Sequence, residues 1–254
     1  MTTVETGAGA AAAEPAAERN KFVSWLQQQY SLGILIVLLI LASVLSDAFL
    51  SGNNLTNVVR QVSITGIIVL AELLVVVTGG IDISVGSVLG LAAVLSAGMF
   101  DGRSMVLGIV VGVVVGAVLG AVNGLLIAYR GLEPFIVTLG MLALARGLVY
   151  AYTEGVPVNP KGSDFTIPGV ATVARFPVLG IIWIVCIAAV AFLLYRTVFG
   201  RRLYAIGSNK NAAFSSGIPV KRTLLAVYAI AGMLAGLGGY LLSCLLYTSD
   251  AADE

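Results

Sequence analysis

The run MVLGIVVGVVVGAVLGAVNGLLIAY, residues 105–129, carries 25 residues without one charged side chain. At about 1.5 Å of rise per residue an α-helix of this length reaches across the ~30 Å hydrocarbon core of a bilayer. Further apolar runs occupy residues 30–46, 64–100, 134–152, 176–195 and 223–243. The second of these holds only Glu72 and Asp82 as acids and is long enough for two short or broken helices. Composition agrees: 11% of the chain is charged, less than half of the ~25% that lets a soluble domain cover itself with a solvated surface. The fold predicted is an all-α polytopic membrane helix bundle of about seven transmembrane segments.

Ahead of the first span stands MTTVETGAGAAAAEPAAERN, residues 1–20, alanine-rich and without a periodic apolar face, which reads as a disordered tail. It is acidic and has no basic n-region, so it is not a cleaved signal peptide. Residues 21–243 form the membrane domain. At its start, KFVSWLQQQYS sets Phe22, Trp25 and Leu26 at helical spacing, as an interfacial helix or as an extension of the first span. With the N-terminus in the cytoplasm, the inner segments hold Arg19, Lys21, Arg130, Arg196, Arg201, Arg202, Lys210, Lys221 and Arg222. The outer loops hold Arg60, Arg103, Lys161 and Arg175, so the lysine and arginine bias favours a cytoplasmic N-terminus.

That bias rests on RTVFGRRLYAIGSNKNAAFSSGIPVKR, residues 196–222, a loop with basic residues and no acid. It is too polar to span, yet LYAIG and NAAFSSGI have the makings of a short helix with small residues on one side. Two readings stand: an ordinary positive-inside loop, or a docking helix for a cytoplasmic partner. A second regular feature lies in the charge-free run, where Gly108, Gly112, Gly116, Gly120 and Gly124 recur at every fourth position. Small residues at this spacing let helices approach closely in lipid. Four residues advance a helix by about 400°, so the row drifts about 40° per step and is expected to serve more than one neighbour or a tilted crossing. Asn123 is placed to add an interhelical hydrogen bond.

The stretch VVVTGGIDISVGSVLG, residues 75–90, interrupts the longest apolar region with Thr78, Gly79, Gly80 and Asp82. Non-helical backbone in lipid is tolerated only where protein buries it or water reaches it. Thr78-Gly79-Gly80 makes a poor helix, while Asp82 and Ser84 suit the N-cap of a helix running on towards Phe100. A break followed by a new helix is expected. At depth, Asp82 would mark a pathway; at the surface it is a cap in a tight connection. Glu72 raises the same pair of readings.

VVVTGGIDISVGSVLGLAAV resembles the signature of the permease subunits of bacterial ribose/xylose-type sugar ABC importers. EPFIVTLGMLALARGLVY from Glu133, FGRRLYAIGSNKNAAFSSGIPVKR from Phe199 and YAIAGMLAGLGGYLL from Tyr228 match the same family in the same order, over residues 31–242. Branched-chain amino-acid permeases are relatives, but TGGIDISVGS resembles the sugar branch. The resemblance implies a subunit of about ten membrane-spanning helices, paired with a second permease subunit, most simply a copy of itself. It implies a bacterial inner-membrane location, a periplasmic sugar-binding protein that delivers a monosaccharide, and a cytoplasmic ATP-binding subunit that drives its passage. By resemblance, Gly207, Asn209, Ala212, Ala213 and Gly217 belong to the coupling segment that docks on the ATPase. Likewise Gly79, Gly80, Asp82, Ser84 and Ser87 match the signature and line or shape the pathway.

The chain carries no GxxxxGK[ST] phosphate loop, so ATP hydrolysis is expected on a separate chain and no catalytic residue is assigned. It has no histidine and no clustered nucleophile, which argues against an intramembrane hydrolase. Cys186 and Cys244 lack metal-ligand spacing, so no metal or cofactor is implied. The formal net charge of +1, with no basic patch outside the one loop, gives no sign of nucleic acid. Two rival classes are an ion-coupled secondary transporter using Glu72 and Asp82 beside broken helices, and a channel-like or structural bundle; the basic loop favours the ABC reading over both.

The final CLLYTSDAADE, residues 244–254, is similar to the translation of a transposon-end sequencing adapter: every residue from Cys244 to Asp253 is reproduced in one frame, and Glu254 is compatible with it. On that reading these residues are a non-native tail, the permease domain is cut short, and residues 245–254 are expected to pack poorly. Sequencing the genomic locus checks this. Apolar spans continuing past Ser243 are the expected result, and a stop codon directly after CLLYTSDAADE overturns the reading.

Overall fold

A computed structural model describes residues 30–99, 103–160 and 162–250; the N-terminal tail, the KFVSWLQQQ stretch, Lys161 and residues 251–254 lie outside it. The chain divides into two compact units, Met1–Asn54 and Leu55–Glu254. In the first, α1 (Tyr30–Leu45) is apolar around its whole circumference. Beyond it, Asn54 donates its amide to the Phe49 carbonyl at 2.7 Å, and Ser51 accepts the Asn54 N–H at 3.3 Å, so Ser51 caps the start of α2 (Gly52–Val77). The helix therefore begins well before the apolar run at Ile64, because its polar first turns carry caps of their own.

The second unit is organised around one helix pair. α4 (Met105–Arg130) runs antiparallel to α10 (Val220–Asp250), and this is the most extensive packing in the unit. All five glycines of the stripe are buried on the same contact line: Gly108 meets Tyr240, Gly112 the Gly236 carbonyl, Gly116 Gly232, Gly120 the Tyr228 carbonyl and Gly124 Leu225. Added methyl groups at Gly116 and at Gly232 would overlap each other's carbonyls. The partner row, Tyr228, Gly232, Gly236 and Tyr240, has the same four-residue spacing. Two rows that drift in the same sense stay together when their helices wind about each other. The stripe thus serves chiefly one neighbour, with Phe165 beside Gly108 and Ser96 beside Gly112 as contacts to other elements.

A flank of α10 beside the α4 contact receives α3 (Val85–Gly98), where Gly239 lies against the Leu89 carbonyl. α5 (Pro134–Thr153) packs on α3 and α4, and α7 (Val178–Arg196) reaches α2 through Trp183, whose indole fills the space left by Gly66. With α1, α2 and α10 these make seven apolar helices among the described residues. Five are long enough to cross a membrane; α1 and α3 are shorter.

Between α5 and α7 lies a linker folded as a 3-10 turn (Ser163–Thr166), α6 (Ile167–Val170) and a hairpin of β1 (Thr172–Val173) with β2 (Phe176–Pro177). Here α7 begins two residues later than the apolar run, because Phe176 and Pro177 pair in the hairpin. Phe165 plugs the linker into the bundle: its carbonyl accepts Tyr240 Oη and Cys244 Sγ, each at 3.0 Å, and its ring meets Tyr240 edge-on at 5.1 Å. At the same end Arg60 donates to the Val170 carbonyl at 3.0 Å.

Of residues 245–254, expected to pack poorly, Leu245 and Tyr247 pack against the core while Leu246 is 55% exposed; α10 continues to Asp250, and Cys244 before them is fully buried. Cys244, Leu245 and Tyr247 carry on the buried face of Tyr240 and Leu241, which is reason enough for the helix to persist.

A Gly116→Leu exchange is expected to abolish the α4–α10 contact, since four added carbons meet backbone that has nowhere to go. Even Gly116→Ala should cost about 1–3 kcal/mol. Gly140→Ala, where an added methyl meets nothing within 4 Å, should be neutral; thermal unfolding of purified protein in detergent separates the two.

Candidate functional site

The break in the longest apolar region is built by two local devices. Gly79 adopts φ +77°, the left-handed conformation, directly after Val77 and Thr78. Its N–H donates to the Val76 carbonyl at 2.9 Å, and that of Gly80 to the Val75 carbonyl at 3.2 Å. This is the paired Schellman closure that satisfies a helix C-terminus, and a residue free of a Cβ suits its left-handed position. Three residues on, the Asp82 carboxylate oxygen Oδ1 accepts the Ser84 N–H at 2.8 Å and the Ser84 hydroxyl at 2.6 Å. Ser84 holds the N-cap position of α3, as the pattern suggests, but its side chain makes no capping bond; its hydroxyl is turned to Asp82. The new helix is anchored instead by the Ser87 and Val88 N–H groups on the Ser84 carbonyl, both at 2.9 Å.

The polar chain continues into the helix pair. Asn123 on α4 donates Nδ2 to Ser84 Oγ at 3.0 Å, making the interhelical bond its position suggested. Asp82, Ser84, Ser87 and Asn123 are all buried. Tyr228 of α10 is 1% exposed, and its hydroxyl would lie 2.8 Å from a methyl group added at Gly80. Glu72, half-buried on α2, lies close enough to Asp82 and Tyr228 for their charges to couple. Asn123 stands seven residues before Arg130, so Asp82 sits roughly 10 Å inside the end of α4. The carboxylate is neither at mid-bundle nor at the very surface.

The polar loop forms two helices, α8 (Val198–Ser208) and α9 (Lys210–Ser215), and they bear on the break. A methyl group at Gly207 would overlap the Val77 carbonyl, the last turn of α2. Asn209 caps α9 by accepting the Ala212 N–H at 2.9 Å. Gly217, at φ +79°, ends α9 with a second Schellman closure, Gly217 N–H to Phe214 and Ile218 N–H to Ala213. Ala213 is buried with Ala128, Ile206, Val220 and Leu224. Of the five matched positions only Ala213 is buried, and among the four exposed ones Ala212 alone has no side-chain cap, positive φ or close backbone approach. The small residues therefore do not form one face; most of them shape the loop itself.

A cleft of about 230 Å³ opens where loop and break meet, walled by Thr78, Gly79, Gly80, Glu133, Lys210 and Tyr228. Of the signature positions, Gly79 and Gly80 face it, while Asp82, Ser84 and Ser87 lie behind that wall. Tyr228, Glu133 and Lys210 were not legible as a group, since they come from three distant segments. Arg146 is also missing from that reading: it lies exposed in the body of α5, seven residues before the end of a membrane-length helix, a place where charges mark function or a protein contact.

The family of branched-chain amino acid transport system permease components matches residues 54–252. The chain belongs to this family. Within it, the chain is similar to the ribose import permease of Bacillus subtilis, 43% identical over 219 residues that cover 85% of this chain and 68% of that protein. The D-allose transport permease of Escherichia coli is 38% identical, over 80% of this chain and 63% of its own length. The galactose/methyl galactoside import permease of Salmonella typhimurium is 34% identical, over 89% and 73%. No solved structure matches the chain. The resemblance of TGGIDISVGS to the sugar branch thus holds over most of the permease. The matched region takes in the break, the glycine pair and both loop helices.

In this permease Gly79→Ala should cost about 1 kcal/mol and Gly79→Val more, because both must hold φ +77°. Gly79→Asn, which tolerates that region, should cost least. The order of melting temperatures, wild type above Asn above Ala above Val, checks the closure.

Proposed function

We propose that the chain is the membrane subunit of an ATP-driven importer that passes a monosaccharide from a periplasmic binding protein to the cytoplasm. The ATP-binding subunit docks on α8 and α9, and its movement reaches the solute path through the contact of Gly207 with the last carbonyl of α2. That contact carries the reading: a loop rich in arginine and lysine abuts the broken helix without an intervening side chain. The names of its relatives, import permeases for ribose, allose, galactose and xylose, supply the class of solute.

The charge distribution supports the orientation. Arg130, Arg196, Arg201, Arg202, Lys210, Lys221 and Arg222 gather at the end that holds the cleft; Arg60 and Arg175 lie at the end with the Phe165 plug. On the positive-inside rule this supports a cytoplasmic cleft end, with the binding protein on the Phe165 side of a bacterial inner membrane. A second permease subunit is supported by α5, whose exposed Gly140, Ala143 and Gly147 leave a close-approach surface beside Arg146. Gly207, Asn209, Ala212, Ala213 and Gly217 act as the coupling segment, Asn209, Ala213 and Gly217 by shaping α9. Gly79, Gly80, Asp82, Ser84 and Ser87 shape the path.

Uptake by cells expressing the permease should require its ATP-binding subunit; uptake under an ion gradient without that subunit would put an ion-coupled transporter in its place. Ala212→Trp should lower co-purification of the ATPase with membrane insertion unchanged, since Ala212 is exposed and supports nothing inside the chain. Gly207→Val should keep docking but lose solute-dependent coupling. Normal ATPase yield with Ala212→Trp would sink the docking assignment.

A further inference from the structure

Two buried polar atoms beside the break are left without a partner: Asn123 Oδ1 and Tyr228 Oη. Both residues are at least nine-tenths buried, at 0% and 1% exposure. The orientation of the Asn123 amide follows from its neighbours. Ser84 has one hydroxyl proton and gives it to Asp82, so Ser84 Oγ can only accept from Asn123, and the amide must present Nδ2 there. Its carbonyl oxygen is then left as a free acceptor. Tyr228 approaches the same chain from the other helix: its Cβ lies over Gly124, next to Asn123, and its hydroxyl reaches Gly80, two residues from Asp82. Tyr228 also forms part of the cleft wall. Buried polar groups are rarely left unpaired, and such orphans mark places where a ligand or water completes the set.

We propose that Asn123 and Tyr228 form a hydroxyl-binding subsite on the solute path, whose ligand is one alcohol group of a small polyol. The inference rests on the importer reading above and adds to it the side chains that recognise the solute inside the membrane. The unpaired set is one acceptor and one group able both to donate and to accept. An alcohol O–H has the chemistry that each lacks: its proton suits Asn123 Oδ1, and its oxygen can accept from Tyr228 Oη. A hard cation suits the place less well, since it would need six or more oxygens and Asp82 Oδ1 already takes two donors. The adjoining cleft, at about 230 Å³, falls below the ~300–1,000 Å³ of sites for drug-sized ligands and suits a small solute. Water shares the chemistry and fills the subsite when no solute is there.

Tyr228→Phe tests this, since it removes one hydroxyl and keeps the ring. The permease is expressed with its ATP-binding subunit and binding protein in cells lacking other monosaccharide uptake. Uptake is then measured for D-ribose, D-xylose, D-allose and D-galactose, each beside its monodeoxy analogues. Wild type should discriminate against the analogue lacking the recognised hydroxyl by about 3- to 10-fold, the worth of one hydrogen bond. Tyr228→Phe should lose a similar factor for the parent sugar and little for that analogue, so that discrimination collapses. The binding protein's own selectivity is common to both variants and cancels. Should Tyr228→Phe fail to reach the membrane, Gly80→Ala carries the test, because its methyl group displaces the same hydroxyl. Equal losses for sugars and analogues, or no loss at all, overturn the subsite and leave a structural water. If the unsubstituted permease imports no monosaccharide with its partners present, the importer reading itself has failed, and the subsite with it.

Discussion

Backbone contact between α4 and α10 is the constraint on which the rest of the unit depends. Lipid offers no hydrophobic drive between helices, so association must come from dispersion at close range and from weak contacts to backbone carbonyls. Four glycines on α4, Gly112 to Gly124, and two on α10 bring the helices to backbone contact, with Gly108 beyond them lying against the Tyr240 ring. The bulky ends of the partner row, Tyr228 and Tyr240, then have fixed places. Tyr240 ties the linker down through Phe165, and Tyr228 is held against the break. One packing choice sets both ends of the bundle.

The break itself is self-contained in a different way. The Schellman closure at Gly79 and the Asp82–Ser84 turn use only neighbours in sequence, so α2 can end and α3 begin without help from the other helices. Besides Tyr228 against Gly80, two contacts tie this segment to the rest at the cleft end: the Asn123–Ser84 hydrogen bond on one side and the Gly207–Val77 backbone contact on the other. The first belongs to the rigid pair, the second to the loop. A segment held between a fixed element and a peripheral one is suited to transmit displacement, and neither tie requires a long side chain to be unpacked.

Much of this was legible in the sequence, and the reason lies in periodicity. Apolar runs of membrane length gave the helices, and the glycine row gave the closest contact, because both are written in consecutive residues. The break was legible for the same reason, since Thr78-Gly79-Gly80 fails locally as a helix. What composition could not give was depth: whether Asp82 lies at the surface depends on Asn123, thirty-nine residues away. The loop shows the same limit. Its sequence suggests a short helix with small residues on one side, whereas Asn209 and Gly217 are caps and Ala213 is core, roles fixed by hydrogen bonds within α9 and by contacts to α4 and α10. The glycine row drifts on an isolated helix, and only a partner row of equal period turns that drift into a single shared line.

Small residues do three physically different jobs in this chain. At Gly116 the absent side chain admits another helix's backbone, at Gly79 it permits a left-handed turn, and at Gly207 it lets a loop lean on a carbonyl. The first is intolerant of any added carbon, the second of the backbone angle but not of volume, since nothing lies within 4 Å of an added methyl group there. The third combines volume with a location between the basic loop and the break. Substitutions at the three positions therefore act on different links: assembly of the bundle, local closure of a helix, and communication between loop and break. A glycine pattern by itself signals only that side chains are unwelcome. It is the atom opposite each glycine that decides whether the position belongs to stability or to transport.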